Sequence, residues 1–89
     1  MHILLIEDDM NAASYVTKGL KESGHVVDHA SDGDIGLDIA LSSNFDIMVI
    51  DRMLPKLDGL SLILKLREEN INTPILILSA LGEVEEKVL

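Results

Sequence analysis

Three runs of four consecutive apolar residues constrain the fold of this chain more than any other feature of its sequence. The runs occupy residues 3–6, 47–50 and 75–78. Because every position in each run is apolar, we expect strands that are covered on both faces, which is typical of parallel sheets. The low aromatic content, with one Tyr, one Phe and no Trp, agrees with the aliphatic core of such a sheet.

Segments with helical periodicity separate these strands. Apolar residues recur at helical spacing over residues 11–23, 31–43 and 60–70, and a short strand of mixed polarity over residues 25–30 is expected at a sheet edge. The alternation of strands and helices predicts one α/β domain, a doubly wound parallel sheet with right-handed crossovers. We expect the three helices to bury, in order, the following residues: Ala13, Val16 and Leu20; Leu37, Ala40 and Leu41; Leu62, Ile63 and Leu66.

The charge balance and the lack of cysteine exclude several functional classes. With 16 acidic and 7 basic residues, the 89-residue chain has a formal net charge of -9, which repels nucleic-acid phosphates and anionic lipids. Without Cys, neither disulfides nor thiolate metal sites can form. No apolar run approaches the roughly 18 residues that span a bilayer, and the amino terminus has no targeting pattern. We therefore expect a cytoplasmic domain that binds neither nucleic acid nor membrane directly.

Acidic residues directly follow two of the predicted strands. Glu7, Asp8 and Asp9 follow the first strand, and Asp51 follows the third. These strands are neighbours in a doubly wound sheet, so Asp8, Asp9 and Asp51 should converge at the edge where such sheets bind ligands. Their mutual repulsion and their oxygen atoms predict a Mg²⁺ site. A carboxylate beside Mg²⁺ can attack phosphorus, which makes Asp51 the candidate nucleophile and Ser79, after the fourth strand, a candidate donor to phosphoryl oxygens.

Simpler interpretations exist for each of these residues taken alone. Asp8 and Asp9 suit the start of a helix, Asp51 suits a turn, and Ser79 suits a helix cap. The order and spacing of all four favour a common site. The remaining candidates are three histidines without metal-binding spacing, interpreted as surface or strand residues: His2, His25 and His29.

Three segments distributed over nearly the whole chain carry a more specific pattern. They are residues 6–9 (Ile-Glu-Asp-Asp), residues 51–59, which read Asp-x-x-x-Pro-x-x-Asp-Gly, and residues 78–80 (Leu-Ser-Ala). Together they resemble the receiver domain of bacterial two-component response regulators, most closely those of winged-helix (OmpR/PhoB-like) transcription factors. The resemblance implies a flavodoxin-like (CheY-like) fold.

The resemblance also implies a role for each matching residue. Asp51 would be the phosphoacceptor, and Asp8 and Asp9 the acidic pair that binds Mg²⁺. Asp9 would be the direct ligand, the backbone carbonyl of Met53 would complete the protein ligands, and Ser79 would be the switch hydroxyl. A sensor histidine kinase would supply the phosphoryl group. The chain would be the N-terminal part of a DNA-binding transcriptional regulator and not an enzyme.

A complete receiver continues with a fifth strand that ends in a lysine, and with a fifth helix. We therefore interpret residues 1–89 as a receiver domain incomplete at its carboxyl end, with strand order 2-1-3-4 and with strand five and helix five missing. Residues 81–89 are expected to begin a helix. The fourth strand would then be an exposed edge, which predicts a homo-oligomer paired through this strand, with Leu60 and Leu64 as secondary contacts.

Two other functions are compatible with an aspartate at a strand end. A phosphatase of the haloacid-dehalogenase type needs a second acid two residues after the nucleophile, where this chain has Met53, so this alternative is disfavoured. The other alternative is a structural or engineered receiver fragment that self-associates without signalling. A phosphorylation assay distinguishes that fragment from an active receiver.

Overall fold

The computed structural model describes residues 1–51, 54 and 57–78, and the backbone of residues 84–88. In chain order the elements are β1 (His2–Ile6), α1 (Met10–Glu22), β2 (Val26–Ala30), α2 (Gly33–Ser42), β3 (Ile47–Asp51), α3 (Gly59–Glu68), β4 (Ile75–Leu78) and β5 (Val84–Val88).

All the strands belong to one sheet, whose order is β2-β1-β3-β4-β5. β1 pairs with β2 and β3, and β3 pairs with β4, each time in parallel. The predicted doubly wound parallel sheet of order 2-1-3-4 is therefore confirmed, with β2 at one edge as expected. The carboxyl ends of β1 and β3 lie side by side, since Ile6 is paired with Ile50.

Alternate residues of the central strands contribute to two cores, one on each face of the sheet. Leu4 and Ile50 are completely buried in a core that also contains Leu62 of α3. Leu5 and Val49 are buried on the opposite face against Ala13 of α1. Both faces of β1 and β3 are thus covered, which is why residues 3–6 and 47–50 are apolar at every position.

Aspartates at the amino ends of the helices satisfy backbone amides that have no partner within the helix. Asp32 Oδ1 accepts a hydrogen bond from the Ile35 N–H at 2.8 Å, at the start of α2. Asp58 Oδ1 accepts one from the Ser61 N–H at 3.0 Å, at the start of α3. The hydrogen bonds from the Ser61 backbone and hydroxyl lower the pKa of Asp58. Each cap fixes the point at which the chain leaves the carboxyl edge of the sheet and enters a helix.

The predicted buried faces of α1 and α3 are confirmed. Ala13 is buried in α1, and Val16 and Leu20 pack beside it. In α3 the buried apolar side chains are the predicted ones: Leu62, Ile63 and Leu66. Leu60 and Leu64 lie on the exposed side of α3, with 44% and 65% of their surface accessible.

The prediction for the buried face of α2 is correct for Ala40, which is buried, and for Leu37, which packs against the core, and is wrong for Leu41. Leu41 is 51% exposed, while the buried positions include Gly36 and Ala40. A Cβ atom at Gly36 would lie 2.4 Å from Ile6 Cδ1, so the absence of a side chain lets α2 approach β1 closely. The helix therefore presents its smallest residues to the sheet, and Leu41 is turned outward. The apolar pattern alone could not reveal this rotation.

Two predictions for the carboxyl end of the chain, the helix over residues 81–89 and the exposed edge of the fourth strand, are wrong where the structure describes it. Val84–Val88 form a strand that pairs with β4 in antiparallel orientation, and not the helix expected over residues 81–89. β4 is consequently an interior strand, so the exposed edge on which the predicted homo-oligomer depended does not exist. A short isolated helix is marginal in water. Pairing with β4 instead satisfies peptide groups that a bare edge would leave open.

Candidate functional site

The carboxyl ends of β1 and β3 bring two acidic residues to the same face of the sheet. Ile6 and Ile50 are the last paired positions of these strands, so Glu7 and Asp51 are the next residues on each side. The Glu7 N–H donates a hydrogen bond to the Ala30 carbonyl at 3.0 Å, which extends the pairing of β1 with β2 by one residue. Because side chains alternate along a strand, Glu7 continues the face of Leu5, and Asp51 continues the face of Val49.

Three carboxylates meet at this point. Glu7, Asp8 and Asp51 each place one oxygen so that the three atoms lie within 4.8 Å of one another. Glu7 and Asp51 are buried, with 8% of their surface accessible, whereas Asp8 is exposed to solvent. The site is therefore an acidic pocket with two buried members and one member open to incoming ligands.

Burial and a close neighbour change the protonation of Glu7. Desolvation, a hydrogen bond with Asp51 and the charge of Asp51 raise the pKa of Glu7 from 4.5 to about 8. Glu7 Oε2 is buried and has no hydrogen-bond partner among the described residues. At neutral pH and without a cation, Glu7 is therefore protonated and hydrogen-bonded to Asp51.

Asp9 does not join this group. Its Oδ1 accepts hydrogen bonds from the Asn11 N–H at 2.9 Å and from the Ala12 N–H at 3.2 Å, so Asp9 is the N-cap of α1. The geometry therefore does not support the prediction that Asp9 is the direct metal ligand, and supports the simpler interpretation of Asp9 as a helix cap. Glu7 takes its place beside Asp8 and Asp51.

The three histidines make no metal group within the described part of the chain. At the amino end of β1, His2 Nε2 lies 2.8 Å from Asp28 Oδ2. His25 Nδ1 lies 2.9 Å from the terminal amino group of Met1. His29 is close to the acidic pocket, because its Nε2 donates a hydrogen bond to the Glu7 carbonyl at 2.7 Å. All three thus have hydrogen-bond partners elsewhere in the chain, and His2 and His29 lie in strands, in agreement with the interpretation from the sequence.

Comparison of the chain with known proteins identifies its family. The family model for the response regulator receiver domain matches residues 3–88, nearly the whole chain. The chain belongs to the response regulator receiver family. The receiver is 42% identical over 88 residues to the probable transcriptional regulatory protein SilR of Salmonella typhimurium, a match that covers 99% of this chain. It spans 39% of the length of that relative.

Solved receiver structures have the same fold. The receiver domain of the Francisella response regulator 1452 is 42% identical and superposes with a TM-score of 0.87 over 97% of this chain and 71% of that chain. The response regulator TrrA of Thermotoga maritima, solved in complex with Mg(2+)-BeF, is 28% identical with a TM-score of 0.84. That match covers 89% of this chain and 69% of TrrA.

Two residues to which the family resemblance assigns roles, Ser79 and Met53, lie outside the residues that the structure describes. Their roles as switch hydroxyl and as carbonyl ligand stay predictions.

The structure describes three helices of the receiver. None of these three has the length and hydropathy of a membrane-spanning segment.

Proposed function

We propose that this receiver accepts a phosphoryl group on Asp51, with Mg²⁺ held by Glu7, Asp8 and Asp51. The observation that carries the proposal is the buried carboxylate of Asp51 at a strand end, within 4.8 Å of two further acids. We further infer that a sensor histidine kinase is the donor. The whole protein would be a DNA-binding transcriptional regulator, because SilR is described as a transcriptional regulatory protein.

The acidic pocket fits a hard divalent cation. Its donors are carboxylate oxygens only, which Mg²⁺ prefers, and Asp8 leaves one side open for water and phosphate oxygens. The buried Oε2 of Glu7, which has no partner among the described residues, is an oxygen that a cation could satisfy. When bound, Mg²⁺ supplies positive charge that offsets the negative charge of the phosphoryl oxygens. TrrA, solved with Mg(2+)-BeF, supports the choice of Mg²⁺.

Asp51 performs the bond-forming step. One of its carboxylate oxygens attacks the phosphorus of the donor, an O–P bond forms, and the bond between phosphorus and the donor's leaving atom breaks. Burial of Asp51 limits access of water to the new acyl phosphate. The hydrogen bonds that hold Asp9 at the start of α1 fix the path of the chain directly after Asp8.

Phosphorylation by a small donor tests the proposal. Incubation with acetyl phosphate and Mg²⁺ should add the mass of one phosphoryl group to the intact chain, and peptide mapping should place it on Asp51. We expect no label in Asp51→Asn. In Asp8→Asn, which removes one proposed Mg²⁺ ligand, labelling should require a higher Mg²⁺ concentration. Asp9→Asn, which keeps a good helix cap, is the matched control and should be labelled like the wild type.

A folded chain that binds Mg²⁺ but takes no label, or that is labelled at another residue, would contradict the proposal. The first of these results would favour the alternative function, a structural fragment without signalling.

A further inference from the structure

A groove lies where α1 passes β2, on the same sheet face as the acidic pocket. Its volume is about 450 Å³, within the range of small-molecule sites. The polar side chains that line it are Ser14, Thr17, Lys18, Lys21, Glu22 and His29.

Four of these residues form one face of α1. Ser14, Thr17, Lys18 and Lys21 follow the spacing i, i+3, i+4 and i+7, so their side chains lie next to one another along the groove. Two hydroxyls and two ammonium groups are thus presented as hydrogen-bond donors on a single surface.

The charge of this face is opposite to that of the molecule as a whole. The chain has a net charge of -9, yet two of the four Lys and Arg side chains that the structure describes line this one groove. Among the described residues neither Lys18 nor Lys21 is in an ion pair, although Glu22 is four positions from Lys18. Two cationic groups without a counterion at the edge of a strongly acidic protein are available to an anion.

We propose that this groove binds a small phosphomonoester. The phosphate would lie between the ammonium groups of Lys18 and Lys21, with Ser14 and Thr17 as further donors, because charged donors make the strongest hydrogen bonds to phosphate oxygens. The buried methyl of Ala13 and the aliphatic stems of the lysines form an apolar wall for the organic group.

This site is separate from the acidic pocket, where three carboxylates repel an anion unless a cation is bound. His29 contacts both the groove and the acidic pocket, since its ring lines the groove and its Nε2 donates a hydrogen bond to the Glu7 carbonyl. A ligand in the groove should therefore be detectable at Glu7 as well as on α1.

Titration with phenyl phosphate in metal-free, low-salt buffer, followed by ¹⁵N–¹H NMR of the chain, tests the proposal. Chemical shifts should change at Ser14, Thr17, Lys18 and Lys21, with a smaller change at Glu7. Lys18→Gln and Lys21→Gln should each weaken binding about two- to fivefold, the range that corresponds to an exposed ion pair. The matched control is Lys65→Gln on α3, which should leave the affinity unchanged, and spectral dispersion shows that each variant is folded.

Four results would overturn the proposal. Shifts confined to other parts of the chain would exclude this groove. An equal loss of affinity in Lys65→Gln would indicate general attraction of an anion to lysines. Equal binding of inorganic phosphate would show that the organic group contributes nothing to recognition. Equal binding of benzyl alcohol would show that the phosphate contributes nothing.

Discussion

Glu7 shares a hydrogen bond with Asp51, and this contact determines how the metal-free receiver responds to pH. The pKa of Glu7 in the folded chain, about 8, is higher than its ordinary value of 4.5. Between these values the folded state holds a proton that the unfolded chain has released. The stabilising contribution is therefore complete below about pH 4.5 and is lost as the pH rises through 8.

We expect Glu7→Gln to remove most of this pH dependence. The amide stays neutral and can still donate to Asp51, so the free energy of unfolding should no longer fall as the pH rises from 4.5 to 8. Urea denaturation of metal-free protein at a series of pH values measures the effect. Asp38→Asn, at an exposed position of α2, is the control and should keep the slope of the wild type. An identical slope in Glu7→Gln and wild type would show that another group carries the dependence.

The position of Asp51 at a strand end could be predicted from the sequence. The sequence did not show which of Glu7 and Asp9 lies beside Asp51. Asp51 ends an apolar run whose length fixes where its strand stops. After residues 3–6, three acids follow in succession, and only the register of Ile6 with Ile50 shows that Glu7 is the neighbour of Asp51. Asp9 has the residue type of a metal ligand and equally that of an N-cap, and the helix that begins at Met10 uses it as a cap.

At the level of single elements, the contact between α2 and β1 shows how little space the sheet leaves for a helix. A Cβ at Gly36 would lie 2.4 Å from Ile6 Cδ1 and 2.9 Å from Ile6 Cγ1, closer than such atoms approach in proteins. The side chain of Ile6 is itself completely buried, so it cannot move away without disturbing the core.

We expect Gly36→Ala to destabilise the chain by about 1 to 3 kcal/mol through overpacking, even though Ala favours helix formation. Gly19→Ala is a matched control in α1, because a Cβ there would meet nothing within 4 Å. The control should stabilise the chain by roughly 0.5 to 1 kcal/mol through its helix propensity. Thermal and urea denaturation of the two variants measure both values. A stabilised Gly36→Ala would mean that α2 can shift on the sheet at little cost.

Most elements could be predicted because their periodicity agrees with their burial. In β1 and β3 the apolar runs are buried, and in α3 the buried apolar residues are the three at the predicted helical spacing, so pattern and packing indicate the same structure. Leu41 is the exception in α2, where Gly33, Gly36 and Ala40 are the buried positions and Leu37 and Ile39 pack against the core beside them. The segment 84–88 (Val-Glu-Glu-Lys-Val) is compatible with a short helix or a strand, and long-range pairing with β4 decides between them.

At the level of the whole molecule, β5 completes the sheet within a single chain. The peptide groups of β4 that face away from β3 are expected to be protected from amide hydrogen exchange by β5, and this protection should not depend on protein concentration. Exchange measured by NMR over a range of dilutions tests this expectation. Protection that disappears on dilution would mean that a second copy of the chain, and not β5, covers β4.

The pairing of β5 also has a consequence for the order in which the sheet assembles. β4 and β5 pair residues close in sequence, such as Leu78 and Val84, whereas β1 and β3 pair distant residues, such as Ile3 and Ile47. Closing a short loop costs less conformational entropy than closing a long one, so a β4–β5 hairpin can form and dissolve many times before β1 meets β3. We therefore expect β1 to pair with β3 later than β4 pairs with β5. Since Glu7 and Asp51 become neighbours only through the pairing of β1 with β3, we expect the acidic pocket to form late in folding.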